Sequence, residues 1–420
     1  MLALRLIRVA RPAVQLRRLT VVAASAGTGF LLLCSLGHAL GHPEHSAAAV
    51  LRLSWCVMPL AATVYLAVAV ARTDPGTRPR PGLSALGLGP GRMMAVSAAT
   101  TALSCGLGSL LALLLFLHLR GDRTGLPFDG AAAGALAAGQ RLPVAGVLTL
   151  LAVVPVLASG VVALVLRPRE DGARPQRRPA EGGADDGSAQ SPGGRAGAPK
   201  EAGHDDPGPH RPPASRRPPT GLPWGVAVLA AGLAVQSYAG RSTASAPASG
   251  GVLPGGLAAS SFPVLVGWLL TALGLALAGP GLTHLCGLLL QSARPGALRL
   301  LAGRVLMAEA GRIGRPLGVV CAVASGTYAV VAPYDGTARV FGPLTALGTL
   351  LVAGCAVAVL LTATVEARQE RAVTIAALRR LGAPAMALRT AALLRTVALL
   401  ALFAPLTLLI ADLAARPLVR

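Results

Sequence analysis

The chain has 420 residues, of which 53% are hydrophobic and only 13% are charged, and its formal net charge at pH 7 is +21. The mean hydropathy of +0.63 excludes an ordinary soluble fold, because such a fold would leave large apolar patches in water. Several apolar runs exceed the ~18 to 20 residues that a helix needs to cross a hydrocarbon core. The composition therefore predicts an all-α polytopic membrane protein, since a β-barrel would show short segments of alternating polarity.

Nine apolar runs are predicted to be transmembrane helices. In chain order they are Leu19–Leu40, Val50–Ala71, Met94–Leu119, Pro143–Leu166, Trp224–Gly240, Phe262–Leu290, Pro316–Ala332, Gly342–Val365 and Thr396–Ala415. The fifth is short, but Trp224 and Tyr238 bracket it as interfacial aromatic residues do. No clean small-residue cleavage site follows the first run, so we expect a retained helix there and not a signal peptide.

The arginines are concentrated in alternate loops. They precede the first span, follow the second and follow the sixth, as Arg18, Arg72 and Arg312 illustrate. The positive-inside rule then predicts a cytoplasmic N-terminus. Topology and contact with anionic membrane lipids account for the positive charge, so we expect no nucleic-acid partner. Frequent Arg with a single Lys indicates a GC-rich genome and a bacterial cell membrane.

Residues 167–222 differ in composition from the rest of the chain. They are rich in Pro, Gly and mixed charge and contain almost no large apolar residue. Such a segment cannot bury enough surface to fold, so it is predicted to be a disordered cytoplasmic linker. It separates a four-span part, 1–166, from a second part that begins at 223.

The segment 366–386 lies between the last two spans and is charged and amphipathic. Apolar residues recur at helical spacing at Val373, Ala376, Ala377, Leu378 and Leu381. Gly382 follows the last expected helical turn, where glycine commonly ends a helix, and Pro384 prevents the helix from continuing in register. This pattern predicts a short cytoplasmic helix, for which a charged helix on the membrane surface is the alternative.

Residues 370–384, Glu-Arg-Ala-Val-Thr-Ile-Ala-Ala-Leu-Arg-Arg-Leu-Gly-Ala-Pro, resemble the cytoplasmic signature of the FtsX-like permeases of ABC transporters. A degraded copy, Leu-Ser-Ala-Leu-Gly-Leu-Gly-Pro, follows the second span at 83–90. The double-unit form of this family implies two related four-span units joined by two linking spans. The units would occupy 1–166 and 291–420, and the linking spans 223–290. That plan has ten spans, whereas nine are found here, and both outer loops, 41–49 and 334–341, are too short for an extracytoplasmic domain.

The resemblance implies a permease subunit that a separate cytoplasmic ABC ATPase drives, and that exports a lipophilic molecule or extracts it from the bilayer. Contact or hinge positions for the ATPase are expected in the charged segment. These positions are Glu370, Arg371, Leu378, Arg379, Leu381 and Gly382. An ATPase-driven regulator or scaffold, which controls cell-wall or signalling proteins without a transported substrate, is the alternative.

The chain has no nucleotide-binding motif of its own. It lacks Gly-x-x-x-x-Gly-Lys-Ser/Thr, and its one lysine, Lys200, falls in the linker. An enzyme is therefore not expected, and neither is a cofactor. His38, His42 and Glu44 lie close in sequence, but Pro43 interrupts the helix between them, so no metal site is predicted. A secondary transporter is disfavoured because the spans contain almost no ionisable residue at mid-membrane.

Overall fold

The described part of this computed structural model consists of α-helices joined by turns and contains no β-strand. The structure describes residues 2–73, 90–121, 133, 136, 139–167, 221–244, 262–292, 296–331, 343–380, 382 and 384–419. Within these ranges the side chains of 2–13, 45–48 and scattered helical positions, Leu378 among them, are not described. The predicted linker 167–222 and the outer loop 334–341 therefore lie almost wholly or wholly outside the described residues.

Ten α-helices follow one another in the described part of the chain. They are α1 (Leu2–Gly41), α2 (Ser46–Trp55), α3 (Val57–Thr73), α4 (Pro90–Arg120), α5 (Val144–Leu166), α6 (Gly221–Ala244), α7 (Phe262–Ser292), α8 (Ala297–Val331), α9 (Pro343–Arg380) and α10 (Ala385–Val419). A single 3₁₀ turn, Pro43–His45, separates α1 from α2. The described helices all belong to one unit, which comprises residues 1–167 and 218–420.

Eight stretches in these helices are long and apolar enough to cross a membrane, which confirms a multi-pass, all-helical membrane protein. They lie in α1, α2 with α3, α4, α5, α6, α7, α9 and α10. The helix α8 is not one of them because arginines and Glu309 interrupt its first half.

The first four long helices pack around hydroxyl groups that bond across helix boundaries. Thr28 of α1 and Thr63 of α3 share a hydrogen bond of 2.8 Å between their hydroxyl oxygens. The hydroxyl of Ser25 donates to the carbonyl of Cys105 on α4 at 2.8 Å. Each of these hydroxyls is buried, so the bonds spare it from lying unpaired in an apolar medium. They fix α1 between α3, which runs antiparallel to it, and α4, which runs parallel to it.

Glycines bring α6, α7 and α8 into close backbone contact. On α7 the residues Gly267, Gly274 and Gly281 repeat every seven residues and face α6, and the other side of α7 meets Gly314 and Gly318 of α8. A seven-residue repeat keeps one face of each helix on its neighbour along its length. The lack of side chains then lets the backbones approach closely. The pairings along these helices show that α6 and α8 both run antiparallel to α7.

The helix α9 contacts both halves of the chain. It packs against α3, α8 and α1, and Leu351 lies against Gly27 of α1. The last helix, α10, lies beside α8 and parallel to it, since Cys321 clusters with Phe403 and Ile410, and Ala329, further along α8, clusters with Ala415. Among the described helices, five therefore begin at one end of the bundle, which we call the basic end: α1, α4, α6, α8 and α10.

Several helix boundaries differ from those of the predicted spans, and α1 begins as early as Leu2. The second span is broken at Cys56, because Pro59 lacks the N–H that would continue the helix from Trp55. The helix α8 begins at Ala297 instead of near Pro316, so arginines assigned to a loop lie on a helix. The helix α10 begins at Ala385 instead of near Thr396.

Candidate functional site

The basic end of α9 extends far beyond the apolar part of the helix. The helix contains 38 residues, which at ~1.5 Å per residue makes it about 57 Å long. A hydrocarbon core is only about 30 Å thick. The segment 366–380 is thus a rigid continuation of the membrane-crossing helix and not the separate short helix expected from the sequence.

An exposed turn at Gly382 reverses the chain between α9 and α10. Gly382 has φ of +86°, in the left-handed region that favours glycine. Its N–H donates to the carbonyl of Arg379 at 3.0 Å, and the N–H of Ala387 donates to the carbonyl of Pro384 at 3.1 Å. This confirms that the helix ends at Gly382, as the sequence predicts.

A two-bonded ion pair joins α9 to α8 near the start of the extension. The Nε and Nη2 atoms of Arg371 donate to the two carboxylate oxygens of Glu309. The Glu309 side chain is only 14% exposed and that of Arg371 is 27% exposed. Paired N–H groups facing two carboxylate oxygens hold the guanidinium in one orientation, so this contact restricts both the rotation and the tilt of α9 against α8.

A second ion pair lies one helical turn away and is open to solvent. Nη1 of Arg312 donates to Glu370, and the two side chains are 48% and 44% exposed. Exposed pairs of this kind contribute little to stability. The second pair therefore contributes little free energy, but it favours the same orientation of α9 against α8.

Arg395 of α10 is a third cation at the same junction. Its Nε donates to the carbonyl of Ala391 at 3.2 Å. Its Nη1 is buried and has no hydrogen-bond partner among the residues that the structure describes. Glu309 and Arg371 act electrostatically on it, and the parallel register of α8 and α10, defined by Ala329 and Ala415, puts it at the level of Glu309.

Only some of the predicted site residues lie at this junction. Glu370 and Arg371 bond to α8, whereas Arg379 is exposed in the last turn of α9 and Gly382 forms the turn. The side chain of Leu378 and all of Leu381 fall outside the described residues. Their proposed contact with an ATPase stays a prediction.

Sequence reasoning missed Glu309 and its relation to Arg395. A signal was present, because Glu309 is the single acidic residue of α8 and lies among arginines in a largely apolar segment. An acid in such a position is costly unless it is paired. Which arginine pairs with it could not be deduced, since the partner lies 62 residues away.

A groove opens between the same two helices towards the opposite end. It has a volume of about 460 Å³ and is formed by apolar and small side chains of α8 and α9, with Tyr328 at the end nearest the outer terminus of α8. The lining residues are Val320, Val323, Ala324, Thr327, Tyr328, Ala353, Ala356 and Val357. An open groove with this largely apolar lining offers a surface on which a hydrocarbon chain can pack.

Two histidines noted in the sequence stack on each other, and the cysteines are buried. The rings of His38 and His42 stack with centroids 4.4 Å apart. No group of three metal-binding side chains occurs among the residues searched, which are those described above. The six cysteines are buried as free thiols.

Comparison with known protein families, with curated proteins and with solved structures found no match to this chain. The family resemblance of residues 370–384 therefore stays a prediction from those residues alone.

Proposed function

We propose that this membrane protein is a permease subunit of an ABC transporter, of the FtsX-like type, which a separate cytoplasmic ATPase drives. The observation that carries the proposal is the continuous α9. It runs from an apolar groove on one side of the bilayer to an exposed turn well outside it on the other. A rigid helix of this length can convert movement of its outer end into movement at the groove.

The basic end is assigned to the cytoplasm of a bacterial cell. Arg304, Arg312 and Arg315 of α8 lie there with the last turn of α9, which contains Arg379 and Arg380. Short basic segments are retained on the cytoplasmic side. The turn at Gly382 then faces the compartment in which a partner ATPase would bind.

The helix α8 is assigned as a ninth span. It lies antiparallel to α7 and α9 and parallel to α10, and its groove-lining half is apolar. Its charged half carries Glu309, which pairs with Arg371 instead of facing lipid. Pairing and a position near the membrane surface lower the cost of the charges.

Two related units are supported by the order of the helices. In the first half α1 is antiparallel to α3 and parallel to α4, through the Thr28–Thr63 and Ser25–Cys105 contacts. In the second half α8 is antiparallel to α9 and parallel to α10, at the Glu309–Arg371 and Cys321–Thr407 contacts. The order and relative directions of α1, α3 and α4 therefore match those of α8, α9 and α10. The helices α6 and α7 lie between these two sets in the sequence.

The substrate is assigned as a lipophilic molecule on the strength of the groove. Its lining contains no charged side chain, and it lies in the half of the bilayer opposite the basic end. A hydrocarbon chain can enter such a groove from the bilayer without dehydrating a polar group. Export, or extraction from the outer leaflet, fits this location.

Purification of the tagged protein from mild-detergent membranes, followed by mass spectrometry, tests the partner. We expect a stoichiometric P-loop ATPase with the wild type and its loss in an Arg379→Glu, Leu381→Asp variant, because Arg379 is exposed in the last turn of α9 and Leu381 follows that turn in the sequence. The matched control is Arg167→Glu, which makes the same charge change at an exposed basic-end residue. Absence of an ATPase from the wild-type preparation, when other membrane complexes survive, would refute the permease assignment.

Reconstitution of the purified complex separates transport from regulation. We expect ATP hydrolysis in nanodiscs to depend on lipid composition, and a filled groove, as in Ala353→Phe, to remove that dependence. ATP hydrolysis that changes neither with lipid composition nor with Ala353→Phe would favour the regulator or scaffold.

A further inference from the structure

Glu309 has arginines of two different helices at its level. It is bonded to Arg371 of α9 through both carboxylate oxygens. Arg395 of α10 falls at the level of Glu309 in the parallel α8–α10 register that Ala329 and Ala415 define, and Glu309 acts on it electrostatically. The Nε of Arg395 donates to a backbone carbonyl of its own helix, and its Nη1 is buried without a partner among the described residues. A second cation is thus available at the level of the carboxylate.

The two helices that carry these arginines make contact mainly through α8. Both pack against α8, but α9 and α10 share little contact with each other in the described part of the chain, although they are joined by the short turn at Gly382. Movement of the α9 extension away from α8 therefore separates Arg371 from Glu309, whereas Arg395 belongs to a helix that makes its own contacts with α8. Without another cation, this movement would leave a carboxylate that is only 14% exposed unpaired, which is strongly unfavourable.

We propose that Glu309 is a shared acceptor that exchanges Arg371 for Arg395 when the basic end of α9 moves away from α8. The exchange keeps the carboxylate paired in both positions of α9 and gives the junction two discrete states. In the state described here, Arg371 holds both oxygens and Nη1 of Arg395 is left without a bond. The exchange rests on the proposed function only for the source of this movement, because nucleotide-driven motion of a partner ATPase would pull on the turn at Gly382. Glu309 and Arg395 are then positioning residues for coupling.

A double-mutant cycle on thermal unfolding tests the exchange without any ATPase. The two single variants are Arg371→Gln and Arg395→Gln, and the six buried cysteines allow unfolding to be followed with a thiol-reactive dye. We expect each single variant to change the Tm by about 2 °C or less, because the remaining arginine pairs with Glu309. The combined variant should lower the Tm by about 6 °C or more, because Glu309 then has no cation. Arg371→Gln with Arg395→Lys should recover part of that loss.

Arg312→Gln is the matched control. It removes an arginine from the same junction, but its partner Glu370 is exposed to solvent and needs no second cation. Its effect should add to that of Arg395→Gln within error. Additive losses for Arg371→Gln and Arg395→Gln, or an Arg371→Gln variant that fails to fold while Arg395 is intact, would overturn the exchange.

Hydrogen exchange keeps the proposal testable if the combined variant gives no folded protein. In Arg371→Gln we expect faster exchange of the backbone amides of 366–380 and unchanged exchange in the first turns of α10, because Arg395 has taken Glu309. Equal acceleration on both helices would show that Arg395 does not replace Arg371. Either failure leaves purification of a partner ATPase unaffected, so it is distinguishable from failure of the proposed function.

Discussion

Two glycines on one turn of α8 should respond in opposite ways to the same added methyl group. At Gly314 a Cβ atom would lie 2.6 Å from Cα of Pro280 and 2.7 Å from the carbonyl carbon and oxygen of Gly279. At Gly311 a Cβ atom would meet nothing within 4 Å. The first neighbour is backbone and cannot rotate away, so α7 and α8 would have to separate by about 0.8 Å to restore ordinary contact.

The expected free energies follow from these distances. Gly311→Ala should stabilise by about 0.5 to 1 kcal/mol, because alanine loses less backbone entropy than glycine in a helix. Gly314→Ala gains the same stabilisation from reduced backbone entropy but loses about 1 to 3 kcal/mol through overpacking. The two variants should thus differ by about 2 kcal/mol, or by roughly 4 °C in Tm.

Thermal unfolding in detergent, followed with a thiol-reactive dye, measures this difference directly. The assay suits the interface because Cys286 of α7 and Cys321 of α8 are both buried. Equal Tm values for the two alanine variants would refute close backbone packing of α7 on α8. A destabilised Gly311→Ala would refute the orientation assigned to α8.

Three further predictions concern the turn, the groove and the exposed ion pair. Gly382→Ala should lower stability by about 1 to 2 kcal/mol, whereas Gly382→Asn should cost less because asparagine tolerates positive φ; similar Tm values for both would contradict the turn geometry. Ala353→Phe should reduce cross-linking of a photoactivatable phospholipid to peptides that contain 320–328 and 353–357, and unchanged cross-linking would assign those lipids to the general protein surface. The Arg312–Glu370 coupling, measured by a double-mutant cycle, should be about 0.2 to 1 kcal/mol and should fall as salt rises; a larger coupling that salt does not change would show that the pair is buried.

The sequence was a good guide wherever a property depends on neighbouring residues. Eight of the nine predicted spans coincide with stretches long and apolar enough to cross a membrane. Gly382 ends its helix as predicted, since one residue with positive φ suffices for that turn. The extent of α8 was underestimated because its arginines suggested a loop, although the aliphatic stems of arginines are compatible with a helix near the membrane surface.

The sequence was a poor guide to which faces meet. In lipid, both the buried and the exposed sides of a helix are apolar, so the hydrophobic pattern does not show which side faces inward. Exposed Leu350 and buried Val359 lie on the same helix, for example. Sequence reasoning therefore gave no sign that Glu370 and Arg371 bond to α8, as the structure shows.

The amino-acid sequence by itself determined that this is a multi-pass helical membrane protein with a charged segment that ends at Gly382. Length, apolar composition and one left-handed residue are sufficient for those conclusions, because each acts locally. Only the tertiary structure decided that Glu309 meets Arg371 and that α8 and α9 form the walls of an open apolar groove. These features depend on the rotation of each helix about its axis, which is set by close packing at glycines distant in sequence.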